Sequence, residues 1–487
     1  AVAVLMQLAE GEQEATRKAK YWCGVATLQQ KYLDERFEAV RSFDKALDAD
    51  PSMLRAFEAI DHMLTEERNY ERQDRYYRKM LKRATDFGLD DNLVFSLAKN
   101  LGEINRTRLK RYAEAIKAYK IALTRRPSDV ATHQIVAQLY ELDGNTDQAI
   151  AQHYNLIKSE PRAIESYKHL YRLFMESARY DAAWCVAQVL VLFKQADDEQ
   201  KAFFDKYRSR TLNRAQRPLE PRHWGALSHP DMSILLRNML TEVWRYIVGA
   251  WASTHKDLRI NKRKHLINPD EQTAFNGTLA YACQVTRFAR PSCYRDPGNR
   301  QGLRAANMQE PTLLVGDDIV RGSRIQEQAF SAGKHLYLTQ PSFFLATLDE
   351  GYDQRKNRIL ATIYSIMKLV KPDSKVQPEE SLLELFQKTI PQNDRVSLGK
   401  QIGEMGSDPN LHLNVSKWLQ AVDHTANRVG LLLSDDLVAA TDVIKNETGT
   451  FSRASAQDRI RALVLFALSE EYFALRKALG LSIDSGQ

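Results

Sequence analysis

The 487-residue sequence has few cysteines and no long apolar run. Its longest apolar run spans 182–193, whereas a helix that crosses a membrane needs about 20 such residues. The sequence therefore predicts no membrane span. None of the four cysteines belongs to a CxxC pair, which argues against a zinc knuckle and a disulfide framework. The cysteines are widely separated, at Cys23, Cys185, Cys283 and Cys293. We therefore predict that their thiols are reduced and that the protein is cytoplasmic.

The motifs of common catalytic sites are also missing. The sequence contains no HExxH, no GxxxxGK[ST] and no GxSxG, so it has no zincin helix, phosphate loop or nucleophile elbow. No two of the 11 histidines are three or four residues apart. We therefore predict no catalytic residue, no metal ligand and no cofactor. A net charge of +7, with 27% charged residues of both signs, permits an acidic partner without requiring nucleic acid.

The first half of the chain contains an internal repeat. A small residue, replaced once by glutamine, recurs at intervals of 34, 42, 34 and 34 residues, at Ala39, Gln73, Ala115, Ala149 and Ala183. An aromatic residue stands four positions later in the first three segments, but His153 and Ala187 take its place in the last two. A proline closes three of the segments, at Pro51, Pro127 and Pro161. The eight extra residues before Ala115 are predicted to form a loop near 86–92.

This pattern resembles the tetratricopeptide repeat (TPR), a unit of two helices about 34 residues long. The resemblance implies a helical solenoid over residues 1–207, whose concave face is built from the first helix of each repeat and binds a peptide or a protein. Four polar positions on the first helices are the candidate partner-binding residues: Gln134, Gln138, Lys168 and Arg172. An ordinary solvated surface is the alternative interpretation of the same side chains.

The repeats are followed by a basic segment. Residues 208–222 contain five arginines and two prolines, a composition that predicts an extended linker over 208–223. Nucleic-acid binding by these arginines is an alternative function, which the lack of interleaved aromatic residues for base stacking disfavours.

The remaining domain, 224–487, is predicted to be α-rich with a few strands. A buried strand is expected at 313–315, and helices are expected at 324–338, at 352–370 and, with apolar residues at helical spacing, at 411–433. A strand ending in Leu-Val-Gly, a helix, and a distant helix containing ANRVGLLL resemble the zinc peptidases related to CAAX-prenyl proteases. The resemblance implies a degenerate zincin-like core.

The residues that such a peptidase needs are replaced. The resemblance places Phe330 and Lys334 at the two histidine ligands, Ser331 at the general base and Asp423 near the third ligand. Phenylalanine cannot bind zinc, and a lysine would put a cation where the metal sits. We expect Lys334 and Asp423 to form an ion pair instead. The prediction is a pseudoenzyme that acts as a non-catalytic scaffold or adaptor and as a subunit of a larger complex. A divergent hydrolase or metalloenzyme is the alternative.

Overall fold

The computed structural model describes residues 1–298, 301–348, 351–407, 415–447 and 452–483. Its chain divides into two compact units, Ala1–Leu173 and Phe174–Gln487. Both are built mainly from helices, and the second also contains a small sheet. The predicted fold class, a helical repeat array followed by an α-rich region with a few strands, is confirmed. None of the helices in the described ranges has the length and apolarity to cross a bilayer.

The first unit consists of consecutive helices, with α10 continuing across the boundary into the second. Their bounds are α1 Val2–Gly11, α2 Ala15–Tyr32, α3 Arg36–Ala49, α4 Leu54–Glu66, α5 Tyr70–Asp86, α6 Asp91–Glu103, a π-helical turn Ile104–Arg108, α7 Tyr112–Arg125, α8 Val130–Leu142, α9 Thr146–Ser159 and α10 Ile164–Glu176.

The helices pack in the pairs that the repeat predicts. In four pairs, α2 with α3, α4 with α5, α6 with α7 and α8 with α9, the second helix carries the marker residue in the interior. The contact between α6 and α7 shows why a small residue is needed opposite an aromatic one. A Cβ added to Gly102 would lie 2.9 Å from the ring of Tyr119. The predicted prolines follow the ends of α3, α7 and α9, as expected for a residue that cannot continue a helix.

The eight extra residues do not form a loop at 86–92. Helix α5 has 17 residues against 14 in α7, and the connection from α6 to α7 spans 104–111 whereas that from α8 to α9 spans 143–145. The π-helical turn in this connection directs Asn105 inward, where its side-chain amide donates to Asp74 at 2.7 Å. A buried side-chain hydrogen bond thus favours helical structure over an open loop.

The second unit contains the remaining elements. They are α11 Tyr180–Leu192, α12 Asp198–Tyr207, α13 His223–Leu227, α14 Ile234–Trp251, α15 Ala274–Thr286, β1 Ser292–Arg295, β2 Leu303–Ala306, β3 Thr312–Val315, α16 Asp317–Arg321, α17 Ile325–Leu338, a 3-10 helix Pro341–Ala346, α18 Tyr352–Val370, α19 Glu380–Thr389, α20 Gln392–Ser407, α21 Val415–Ser434, α22 Leu437–Asn446, α23 Ala456–Ala467 and α24 Glu470–Leu479.

The predicted strand at 313–315 is the centre of the sheet. β3 pairs in parallel with β1 and antiparallel with β2, and all four of its residues are buried. The helix predicted at 324–338 follows as α17 and crosses α21 closely. The crossing is close because two glycines face each other there: a Cβ on Gly333 would lie 3.2 Å from the Gly430 Cα. Of the helix predicted at 411–433, residues 411–414 lie outside the described residues.

The contacts of the basic segment lie within the second unit. Arg208 pairs with Asp436 at 2.8 Å, Asn213 donates to Asp435 at 2.7 Å, and the Leu219 amide donates to the Val285 carbonyl. The compact units divide at 173/174, and α11, which carries the fifth repeat marker, packs against α12 and α22. The domain scheme of 1–207, 208–223 and 224–487 stays a prediction.

Candidate functional site

A cavity of about 480 Å³ lies in the second unit beside α17. Ser331, Lys334 and His335 reach it from α17, Asp423 from α21, and Glu447 from the residue after α22. The cavity therefore lies where the peptidase resemblance places a metal site. Ser331, Lys334 and Asp423, three of the four candidate positions, come together at its wall.

The fourth candidate position, Phe330, is not among the residues that line the cavity. Its side chain is fully buried, and its carbonyl oxygen and ring lie 2.7 Å and 2.8 Å from the place that a Cβ on Gly430 would occupy. Phe330 thus packs α17 against α21. That any of these positions descends from a metal site stays a prediction.

Lys334 occupies the centre of a buried ion cluster. Its ammonium donates to both Glu447 oxygens, at 2.7 and 2.8 Å, and lies 3.8 Å from Asp423 Oδ1, which is the pairing that the sequence predicts. Arg459 donates to the same Glu447 carboxylate. Burial alone would raise the pKa of Glu447, but the charges of Lys334 and its neighbours outweigh burial and hold that pKa below its ordinary value.

The carboxylates of the cluster are bonded on more than one side. Both carboxylates are held by cations or hydroxyls, since Asp423 also accepts from the Ser452 hydroxyl at 2.6 Å. Burial and the nearby Lys334 lower the pKa of His335 to about 3, so its imidazole is neutral. Ser331 and His335 are four residues apart on α17, and no hydrogen bond among the described residues joins them.

Two charged members of this cluster have no counterpart in the sequence-based prediction. Glu447 and Arg459 are both brought to Lys334 by tertiary packing, across 113 residues in the case of Glu447. No motif spacing connects them to α17.

The candidate partner-binding residues lie on two helices of the first unit. Gln134 and Gln138 are exposed on α8. Lys168 and Arg172 lie on α10, and each of them has an acidic neighbour: Lys168 pairs with Glu165 at 3.1 Å and Arg172 pairs with Glu141. All four side chains are accessible, and Arg172 also belongs to a separate cluster.

That cluster joins three helices around the carboxylate of Glu141. Glu141 Oε1 lies 2.9 Å from His153 Nε2, on α9, and 2.9 Å from His169 Nδ1, on α10. The two imidazoles stack with ring centroids 4.9 Å apart. The sequence signalled one member, because His153 stands where the repeat has an aromatic residue, but it did not show that Glu141 and His169 meet it.

The charges of this cluster shift the pKa values of its members. Burial would raise the pKa of Glu141, but His153, His169 and Arg172 hold it below its ordinary value. Burial lowers the pKa of His153, and hydrogen bonding to Glu141 only partly opposes this shift. At neutral pH the cluster therefore contains an ionised carboxylate beside a neutral buried imidazole.

No protein-family model and no curated protein matches this chain. Among solved structures, it is similar to YrrB, described as a TPR protein with an unusual peptide-binding site, at 17% identity over 42% of this chain and all of that one, with a TM-score of 0.26. It is also similar to PilF of Pseudomonas aeruginosa, at 18% identity over 42% of this chain and 97% of that one, with a TM-score of 0.22.

A third solved structure, the Naa15/Naa10 complex bound to HypK-THB, is similar over 94% of this chain and 63% of its own. Its identity is 13% and its TM-score 0.25. TM-scores of this size carry no argument about function. The assignment of the first unit as a TPR-like array rests on the helix pairs, small residues and terminating prolines of the chain itself.

Proposed function

We propose that this chain is a non-catalytic protein-interaction scaffold that binds a partner protein or peptide through the first helices of its repeat array. The observation that carries the proposal is the polar surface of α8 and α10. Gln134, Gln138 and Lys168 are accessible there and take no part in the core. The contact between Glu141 and His169 places the two helices side by side.

Helical repeats expose their first helices because only the second helices and one face of the first are needed for stacking. Side-chain amides on α8 can bond the backbone of an extended peptide, since each offers both a donor and an acceptor. Lys168 adds a cation, and the whole chain carries a charge of +7. These features favour a partner segment with acidic side chains or a free carboxylate.

The second unit supports the non-catalytic part of the proposal. Lys334 stands where the peptidase resemblance would place a ligand, and its ammonium is held by Glu447 and lies near Asp423. A dication at the same place would face electrostatic repulsion from Lys334 and Arg459. We propose that this region is an inactive, peptidase-like domain with a structural role. A cytoplasmic location belongs to the same proposal, and it is supported by the absence of a disulfide between the cysteines of the described chain.

Adding negative charge to the surface of α8 and α10 tests whether this surface binds the partner. A Gln134→Glu, Gln138→Glu, Lys168→Glu triple variant is expected to lose most of its capture of the main partner, because it repels an acidic segment. Exposed substitutions of this kind change the free energy of unfolding by at most about 0.5 kcal/mol each. Capture from cell extract, quantified by mass spectrometry, measures the loss, and circular dichroism verifies that the helices are intact.

Lys117→Glu is the matched control. Lys117 lies on a second helix, α7, and pairs with Glu114 at i,i+3 as Lys168 pairs with Glu165. This variant should capture the partner as the unmodified chain does. If the triple variant captured as much partner as the control, the binding surface would have to lie elsewhere.

A further inference from the structure

We propose that Glu141, His153 and His169 form a binding site for one Zn²⁺ ion within the repeat array. One carboxylate oxygen and two imidazole nitrogens, contributed by three different helices, lie within 4.8 Å of one another. A carboxylate with two histidines is a donor set that zinc uses in proteins. This proposal does not depend on the partner-binding function, and it departs from the prediction of no metal, which rested on motif spacing alone.

The distances suit a metal after a small adjustment. Ligands bound to zinc at 2.0–2.1 Å in a tetrahedron are about 3.3 Å from each other. The Glu141 oxygen is 2.9 Å from each imidazole nitrogen, so it would move away from each of them by a few tenths of an ångström. The two nitrogens lie within 4.8 Å of each other. We propose that rotations of the three side chains bring the atoms to zinc-binding distances.

The Nδ1 atom of His169 faces the carboxylate directly, 2.9 Å from Glu141 Oε1. Without a metal, Nδ1–H donates to this oxygen; with zinc bound, the same nitrogen would present its lone pair to the ion instead. Arg172 lies 3.1 Å from this nitrogen. Because zinc would take the lone pair, the guanidinium would keep its bond to the second oxygen of Glu141 but not this contact.

Arg172 would act as a positioning residue beside such a site. Its charge opposes a zinc ion, but, unlike those of the buried Lys334 and Arg459, its side chain is 49% exposed and is screened by solvent. It bonds the second oxygen of Glu141, Oε2, and leaves Oε1 to the imidazoles. Groups of this kind hold a carboxylate in one orientation and are common around metal ligands. The arginine also explains why Glu141 would bind zinc through a single oxygen.

His153 gives a second, independent reason to expect a ligand. It occupies the aromatic position of its repeat and is 3% exposed, so the array buries a polar ring where Tyr119 stands in the preceding repeat. Among the described residues its Nδ1 has no hydrogen-bond partner, and its Nε2 bonds Glu141 Oε1 at 2.9 Å. Burying an imidazole costs more than burying a phenyl ring unless it is well bonded. Zinc would leave Nδ1 as it is, but it would replace the hydrogen bond of Nε2 with a stronger coordinate bond.

Three protein ligands leave a fourth position of the zinc open, as in sites that also bind water or a further ligand. Because the ligands belong to α8, α9 and α10, the ion would join one complete repeat to the first helix of the next. Zinc would therefore stabilise this part of the array against unfolding, since it binds the folded chain preferentially.

The test is a zinc titration of the full-length chain after removal of metals with a chelator. Equilibrium dialysis with elemental analysis should find about one Zn²⁺ per chain. His169→Ala, which alters a partly exposed side chain, should weaken zinc binding by roughly 100-fold or more, because a lost ligand costs more than a lost outer partner. His153→Phe, which restores the aromatic of the repeat, should have the same effect and retain the fold.

Two controls locate the ion. His133 also lies on α8, but it bonds Gln152 and the Pro127 carbonyl outside the cluster, so His133→Ala should bind zinc as the unmodified chain does. Asp423→Ala should also retain zinc, because the second unit is not the proposed site. The proposal is overturned if the unmodified chain binds no zinc, or if zinc binding survives both His169→Ala and His153→Phe.

Discussion

Replacing Arg476 with methionine is expected to lower the free energy of unfolding by about 3–5 kcal/mol, the cost of removing one partner from a buried ion network. The guanidinium is fully buried and donates two bonds of 2.9 Å to Asp181, as well as one to Asp435. It also lies over the ring of Trp184. Methionine fills a similar volume but leaves two buried carboxylates without their cation.

Arg179→Met provides the matched control for this prediction. Arg179 pairs with Glu470, near the start of α24, but both side chains are accessible. Exposed pairs contribute about 0–1 kcal/mol, so this variant should unfold close to the unmodified chain. Urea denaturation of the full-length chain, followed by circular dichroism, compares the two. Equal losses in the two variants would show that the buried network does not hold α11 to α24.

Gly430→Ala is expected to destabilise the chain by about 1–3 kcal/mol, although alanine normally stabilises a helix relative to glycine. The added Cβ would lie 2.7 Å from the carbonyl oxygen of Phe330. A backbone atom cannot rotate away, so α17 must shift as a whole. That shift would also disturb Lys334 and the cavity beside it.

Gly277→Ala is the control for helix propensity. Gly277 is exposed on α15, and a Cβ there would meet no atom within 4 Å. This variant should be neutral or more stable by up to about 1 kcal/mol. Thermal unfolding of the two variants measures the contrast. A Gly430→Ala chain as stable as Gly277→Ala would mean that α17 and α21 are not held in close contact.

The repeat array was predictable because its signals are local. Small residues such as Ala115 and Ala149, together with the prolines after α7 and α9, recur at the interval of one helix pair. At Ala183 the interval carries less information. Helix α11 has the spacing of a repeat, but Asp181–Leu190 are all buried and the helix packs against α12 and α22. Burial on every side of a helix is a property of the surrounding structure, and a repeat interval does not report it.

In the second unit, single elements were more predictable than their associations. A short apolar run predicted the central strand β3, and a helical pattern predicted α18. Neither signal predicted β1 or β2, which are four residues long and depend on pairing. Likewise, the pairing of Lys334 with Asp423 could be anticipated from a resemblance, whereas Glu447 and Arg459 could not. Charged groups that meet through packing leave no spacing signal.

The central claim is that a partner binds the first helices of the array. Site-specific photo-crosslinking tests it most directly, with a photoreactive amino acid placed at Gln138 on α8 and, as the matched position on a second helix, at Lys117 on α7. The account predicts that one partner polypeptide is crosslinked from position 138 and that this product is absent from position 117. A product formed from position 117 and not from 138 would contradict it.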